Sequence, residues 1–351
     1  MPILDKNNAQ EVARYEKFVQ ETPFRALTQD LGWKDVKDDW GNEQVYVERD
    51  GEIIAAMSLL IKKVPGGYSL LYAPRGPLCD LEDIALVNEL VSEAQPLAKK
   101  HKAFALKMDP EQLYTEELDA KYKKAGYQVR NEGMGEDDLI QPRYNMIVRL
   151  KDEDADSLML KFRPRVRSKI RKAAREGVEI DSGTTDEYLK TFFDLYDIMG
   201  DRNGITTRDY HYFEKIREAF PKHFVVYRAK HEEDYLAAAV LLNYEGKQYY
   251  LYAGSSNEKR KLNASHLLNY QMMVDGIEMG AEQYDLGGVF VLDGEEDGLF
   301  NFKNGFCQTD GVTTYIGEID KVYKPLLYKT FVTLVPKLQE VKKKIAEKKN
   351  N

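Results

Sequence analysis

A chain of 351 residues with an ordinary apolar share (43%) and a net charge of −8 has room for two globular cores rather than one. The acidic balance excludes a protein that coats nucleic acid over its whole surface, and no apolar run approaches the ~20 residues of a membrane span. Cys79 and Cys307 match no metal or disulfide spacing, and the N-terminus has no basic stretch ahead of an apolar one, so a cytoplasmic protein with reduced thiols is expected.

Residues 8–20 place Val12, Tyr15, Phe18 and Val19 on one helical face, and a short helix opens near Thr28 or Asp30. Strands at 44–48 and 53–61 flank Asp50-Gly51, a tight-turn dipeptide, and a turn at Pro65-Gly66-Gly67 leads into a third strand, 68–74. The spacing of Ile84, Leu86, Val87, Leu90, Val91 and Ala94 predicts a helix over 81–101; a strand at 103–109 stops at Pro110. The second half repeats this plan. Strands at 224–229 and 235–244 surround an acidic turn, a Tyr-rich strand follows Glu245-Gly246-Lys247, and a helix at 264–280 leads to a strand ending in Asp285-Leu286-Gly287-Gly288. Leu71-Tyr72-Ala73 echoes Leu251-Tyr252-Ala253, and Asp109 and Asp285 end equivalent strands.

The expectation is an α+β protein with two tandem domains of one fold: 1–147 with 317–351, and 148–316, with 148–160 as the connector. Each copy is a hairpin sheet, a helix, and a strand returning parallel through a right-handed crossover. That plan resembles the GCN5-related N-acetyltransferase (GNAT) acyltransferase fold, in which the strands around the crossover helix splay to leave a cleft. Residues 310–316 read as a strand and 321–348 as a helix interrupted near Pro325 and Pro336, with Leu326, Leu327, Phe331, Leu334, Leu338 and Val341 for packing. Its lysine-rich end reads as a solvated helix or a weak polyanion contact.

Zinc spacings, a Walker loop, G-x-G-x-x-G and a nucleophile elbow are all missing, and the five histidines form no cluster, so no metal or cofactor is expected. No R-x-x-G-x-G/A stretch is present to cradle coenzyme A, which disfavours an acetyl-CoA enzyme. Residues 160–175 hold eight basic side chains and no acid, suited to a polyanion at one edge or to a solvated helix face. Arg208 falls where a loop enters a helix, beside free backbone N–H groups that suit a phosphate; pairing with a nearby acid is the other reading. Lys37 follows Trp33 by one helical turn and shares its face, for a nucleotide or for packing. Asp109 and Asp285 could act as a base or simply cap turns. Lys303, between aromatics, could stabilise an oxyanion or snorkel past a core.

Gln29, Trp33 and Lys37, RSKIRKAAREGV at 167–178, GITTRDYHYF at 204–213, LYAGSS at 251–256, YDLGG at 284–288, LFNFKNGF at 299–306 and YIGEID at 315–320 together resemble the Fem family (FemABX). These non-ribosomal peptidyltransferases build the interpeptide bridge of Gram-positive peptidoglycan. The resemblance runs nearly end to end and lies with the FemX branch, without the coiled-coil insertion of FemA and FemB. It implies transfer from aminoacyl-tRNA, typically alanyl-tRNA and less well seryl-tRNA, to the ε-amine of L-Lys in UDP-MurNAc-pentapeptide. By position, Lys37 and Arg208 would hold the diphosphate, with Thr206, Tyr212 and Tyr252 completing the acceptor site. The first domain would be the acceptor-nucleotide side, and the second would carry the catalytic lysine and the aminoacyl-tRNA side. Lys303, beside Phe302, would stabilise the tetrahedral intermediate, and Asp109 matches a position considered as a base. Phe104 stands where relatives often carry Tyr, removing one hydroxyl contact to the nucleotide. Arg163, Arg165, Arg167, Lys169, Arg171 and Lys172 would meet tRNA phosphates or serve only as a linker helix. A monomer without metal or membrane insertion is expected. A lipid II acceptor and a non-catalytic precursor-binding module remain open alternatives, and the donor amino acid is not legible.

Overall fold

The computed structural model describes residues 3–131, 133, 138–289 and 298–334. The chain packs as two units, Met1–Arg143 with Thr314–Asn351, and Tyr144–Thr313.

The first unit opens with α1 (Ala9–Glu21), capped by the Asn8 side chain, and the short α2 (Trp33–Val36). Three antiparallel strands follow, β1 (Gly41–Arg49), β2 (Glu52–Val64) and β3 (Tyr68–Ala73). The long helix expected over 81–101 is two: α3 (Ile84–Glu93), capped by Asp83, and α4 (Gln95–Lys100), whose first turn contains Pro96. Proline lacks the N–H that would continue α3, so a new helix starts there. After β4 (Ala103–Met108) come α5 (Glu116–Lys124) and β5 (Gln128–Arg130), neither of them expected from periodicity because each is short.

The second unit begins with β6 (Tyr144–Arg149) and α6 (Ala155–Lys161), so residues read as a connector are regular structure. α7 (Pro164–Arg175) buries Val166, Ile170 and Ala173 as one stripe and leaves its cations on the other faces. β7 (Glu179–Gly183), α8 (Asp186–Asn203) and α9 (Tyr210–Ala219) precede the hairpin sheet β8 (Phe224–His231), β9 (Asp234–Tyr244) and β10 (Lys247–Ser255). α10 (Ala264–Glu278) crosses over to β11 (Gln283–Val289), and α11 (Gly298–Phe306) and β12 (Val312–Thr314) complete the unit.

The chain then returns to the first unit as β13 (Glu318–Val322), which lies between β4 and β5. Part of the stretch expected to be helical, 321–348, is therefore strand; the helix begins at Pro325, where a missing N–H costs nothing, and Pro336, Leu338 and Val341 lie outside the described residues. Leu327 and Phe331 pack against Leu70 and Phe104, whereas Leu326 is 84% exposed. Lys107 is fully buried between Glu318 and Asp320; Arg130 also reaches Glu318 (2.7 Å) and the Tyr328 hydroxyl reaches Asp320 (2.6 Å). This charged cluster joins β4, β5, β13 and the final helix. Its cost of burial is offset only because each charge is paired.

The two sheets have the orders β1-β2-β3-β4-β13-β5 and β12-β6-β11-β10-β9-β8-β7. In each, one parallel pair flanks the crossover: β3 with β4, and β10 with β11. Each unit has its own apolar core on the crossover-helix side of the sheet.

Candidate active site

In the first unit, β4 ends at Asp109, which is 2% exposed. Its carboxylate accepts a hydrogen bond from the Tyr72 hydroxyl (2.6 Å) and one from the Arg75 backbone N–H (2.6 Å). Arg75 reaches this position with φ +53°. Burial pushes the Asp109 carboxyl up to about 7, against the opposing pull of the Arg75 guanidinium and these two hydrogen bonds. The Trp40 ring lies 6.3 Å from Tyr72, and Lys62 sits 4.7 Å above Trp40. Lys37 ends α2 with its ammonium 6.0 Å from the Trp33 ring centre, as their one-turn spacing suggested. Gln29 is a buried clamp: its side chain bonds Ser58 on both sides and the Pro74 carbonyl (2.8 Å), fixing the loop after β3. Phe104 is core, 5.2 Å from Phe331 and 2% exposed, so the final helix already covers the ring.

In the second unit, β10 carries Tyr252 into an aromatic cluster with Tyr196, Tyr212 and Phe213, and the Tyr252 hydroxyl donates to that of Tyr212 (3.4 Å). Gly254 lets β10 pass α8 closely: a Cβ there would lie 2.2 Å from the Tyr196 backbone nitrogen. Arg208 is exposed, with its guanidinium 5.2 Å from the Tyr212 ring centre, and Thr206 is exposed on the preceding loop. The expected free helix start beside Arg208 is not free. Asp209 caps α9 and accepts from Tyr212 N–H (2.8 Å), so a carboxylate already occupies part of it.

Lys303 lies on α11, 7% exposed, and its ammonium donates to the Gly288 carbonyl (2.7 Å). That carbonyl is placed by a bulge in β11. Asp285 accepts from Gly287 N–H (2.7 Å), Gly287 adopts φ +83°, and the pairing with β6 shifts between Asp285 and Gly288. A Cβ on Gly287 would lie 3.5 Å from the Lys303 ammonium. The Asn145 amide donates to both Asp285 oxygens (3.3 and 3.2 Å). Asn145 and Arg75 are residues that reading the chain alone missed; neither has a motif around it.

Beside Phe302 a cavity of about 270 Å³ opens at the end of β10 and the start of α10. Phe302 stacks edge-on to His266 (5.0 Å), whose Nε2 faces the Lys169 ammonium (3.2 Å). Burial, then Lys169 and Arg165, hold the His266 imidazole down to about 3, so it is neutral and can accept from Lys169. His266 stands on the wall of this cavity, a place that the absence of a histidine cluster in the sequence did not suggest. Of the basic block, Lys172 is turned inward onto the Lys261 carbonyl (2.9 Å), and Lys161 pairs with Glu153 and Asp310. Arg163, Arg165, Arg167 and Arg171 make no ion pair among the described residues. No group of residues suited to a metal occurs among the described residues, and no described helix is long and apolar enough to cross a membrane.

A buried ammonium at the end of a splayed strand pair, in a unit that also carries a cationic helix, is suited to acyl transfer from a polyanionic donor. Comparison with known proteins agrees. The FemAB family model matches residues 11–232 and 226–335. The UDP-N-acetylmuramoylpentapeptide-lysine N(6)-alanyltransferase of Weissella viridescens is 37% identical over 338 residues, 95% of this chain and 99% of that protein. The crystal structure of FemX superposes with a TM-score of 0.84 at 28% identity, over 92% of this chain and 98% of that one. A tandem GNAT protein from the clavulanic acid biosynthesis pathway shares the fold, with a TM-score of 0.52 at 13% identity over 92% of this chain and 97% of that one. With a family model matched along most of its length and a relative alike from end to end, this chain belongs to the FemAB family of transferases.

Proposed function

We propose that the chain moves an aminoacyl group from aminoacyl-tRNA to the ε-amine of L-Lys in UDP-MurNAc-pentapeptide, with alanine as the donor residue. The observation that supports this reading is the Lys303 ammonium, buried and held by the Gly288 carbonyl where β10 and β11 have parted. The neutral amine attacks the ester carbonyl, forming the C–N bond and a tetrahedral oxyanion. Lys303 stabilises that charge in a partly dry site, where a fixed cation is worth far more than in water. Collapse breaks the C–O bond, and the amine proton leaves with the ribose hydroxyl. Because the ester is already activated, positioning and oxyanion stabilisation can supply most of the rate, without a covalent enzyme intermediate.

Lys37 and Arg208 are assigned to the diphosphate, and Thr206, Tyr212 and Tyr252 to the rest of the acceptor. The first unit, residues 1–147 with 317–351 in this reading, carries Lys37 for the acceptor nucleotide; the second, 148–316, carries Lys303 and the donor side together with Arg208, Thr206, Tyr212 and Tyr252. Asp109, held near neutrality, is suited to take the proton from the attacking amine. Arg163, Arg165, Arg167 and Arg171 offer charge without an ion pair among the described residues for tRNA phosphates, with Lys169 on the cavity wall facing His266 and Lys172 bonded to the Lys261 carbonyl. Both partners being cytoplasmic molecules, the protein acts there, as a monomer.

The test is direct: purified protein, UDP-MurNAc-pentapeptide and individually charged tRNAs, with the product mass read. One added alanine is expected. Lipid II replaces the soluble precursor in a parallel reaction, and transfer there alone would move the proposal to the membrane. No added mass with any donor on either acceptor would sink the transferase reading.

A further inference from the structure

The first unit holds another cavity, of about 740 Å³, at the end of its sheet away from Asp109. The β3/β4 ladder runs from Ser69 opposite Ala103 to Ala73 opposite Met108, and Tyr68 and Ala103 line the cavity. At the rise of a β-strand, the six residues from Ala103 to Asp109 separate it from that end of the strand by roughly 20 Å. Four ammonium groups line it from separate places: Lys99 in the last turn of α4, Lys102 before β4, Lys321 in β13 and Lys324 just beyond.

None of its lining residues is acidic, and none of the four lysines makes an ion pair among the described residues. Other lysines of the same unit do: Lys62 with Asp39, Lys100 with Glu43, Lys121 with Glu82 and Lys123 with Asp119. In a protein of net charge −8, four uncompensated cations around one concavity are a local reversal of sign. The partial negative charge at the end of α4 accounts for Lys99 alone. Two ammonium groups are steered by rings, Lys324 at 5.5 Å from the centre of Tyr68 and Lys321 at 5.2 Å from that of Tyr127. The Tyr323 hydroxyl on the cavity wall is buried without a hydrogen-bond partner among the described residues.

Lysine recognises phosphate as a point charge, and the cavity falls within the ~300–1,000 Å³ typical of small-molecule sites. We propose that this cavity binds a phosphate-bearing small molecule of nucleotide size, with its phosphates on Lys99, Lys102, Lys321 and Lys324 and its planar part against Tyr68 and Tyr323. It is a separate site from the one that transfers the aminoacyl group.

Calorimetric titration of the full chain with inorganic pyrophosphate, and then with adenosine diphosphate, at low ionic strength tests this. Both probes should still bind the wild type when excess UDP-MurNAc-pentapeptide fills the acceptor site. A Lys99→Ala/Lys102→Ala/Lys324→Ala variant should lose about tenfold or more in affinity, equivalent to ~1.4 kcal/mol, with an unchanged thermal midpoint. If that variant does not fold, Lys102→Gln and Lys324→Gln singly should each weaken binding. Absence of binding by the wild type, equal affinity in the triple variant, or complete displacement of both probes by UDP-MurNAc-pentapeptide would each overturn the proposal. So would retention of the wild type on anionic phospholipid vesicles without affinity for either probe, which would identify a lipid surface instead.

Discussion

The two parallel strand pairs differ where the same fold would make them alike. β3 and β4 stay paired from Ser69–Ala103 to Ala73–Met108, and the next residue, Asp109, is tied back to Tyr72. β10 and β11 pair only from Lys247–Gln283 to Tyr249–Asp285, after which β10 continues on β9 alone. The first pair is closed by a hydrogen bond between its own side chains. In the second, Asp285 turns to Gly287 and Asn145, Tyr252 turns to Tyr212, and the opened end receives the Gly288 carbonyl and Lys303. Duplication therefore preserved the frame and left one copy with a closed strand end and the other with an open one. The two carboxylates expected to end equivalent strands stand differently: Asp109 follows the last residue of β4 and is pushed up by burial to about 7, whereas Asp285 lies inside β11 and pins a bulge.

That contrast can be broken experimentally. If the open end is where the chemistry happens, Lys303→Ala should lower the transfer rate constant by ~10²–10³-fold, as the loss of an oxyanion donor does, while precursor affinity measured by calorimetry stays the same. An active Ala variant would remove the open end from the mechanism. Arg208→Ala should weaken precursor binding by roughly 10–100-fold, the scale of removing a charge-assisted hydrogen bond, with unaltered affinity counting against the diphosphate role. Asp285→Asn keeps the shape but makes the acceptor of the Gly287 N–H a weaker one, letting the Gly288 carbonyl and Lys303 drift. A fall in kcat of about tenfold with little change in KM is expected from such misplacement, and a raised KM with intact kcat would speak against it.

The remaining two are smaller. Arg165→Ala with Arg171→Ala should weaken tRNA binding and flatten its dependence on log salt by about two, one for each phosphate no longer neutralised; an unchanged slope would return α7 to being a solvated face. For the closed end, the sign of pH dependence follows from burial. Asp109 titrates at about 7 in the folded chain and near ~4 in the unfolded one. Between those values the folded state holds the extra proton, so this group's contribution to stability falls as pH rises through that window. Asp109→Asn should remove the slope in denaturation midpoints, and a slope that persists would place the titration elsewhere.

Much of the frame was legible because its signals are local. Asp50-Gly51 and Glu245-Gly246 mark hairpins, and the stripe of Val166, Ile170 and Ala173 is visible at helical spacing within the basic block. The places of Asp109 and Tyr252 on strands and of Arg208 at a helix start followed from the same patterns; the helix that carries Lys303 did not. Which way the strand-end carboxylates turn did not. Asp109 stands just past the partner of Ala73, whereas Asp285 stands opposite Tyr249, three residues before Tyr252. Aligning Tyr72 with Tyr252 by sequence hides that offset, because the register between parallel strands is set by packing across the crossover, far along the chain.

The sequence by itself determined two acyltransferase-like frames, a cationic helix, and a lysine set among phenylalanines after a glycine-rich strand end, since periodicity, turn chemistry and charge blocks act over a few residues. Only the tertiary structure decided that β10 parts from β11, that Asp285 and Asn145 aim the Gly288 carbonyl at Lys303, and that Lys107 is buried among carboxylates returned by the last strand. Asn145 meets Asp285 and Lys107 meets Glu318 and Asp320 across more than a hundred positions, where burial and the demand that every buried charge and carbonyl find a partner select one arrangement.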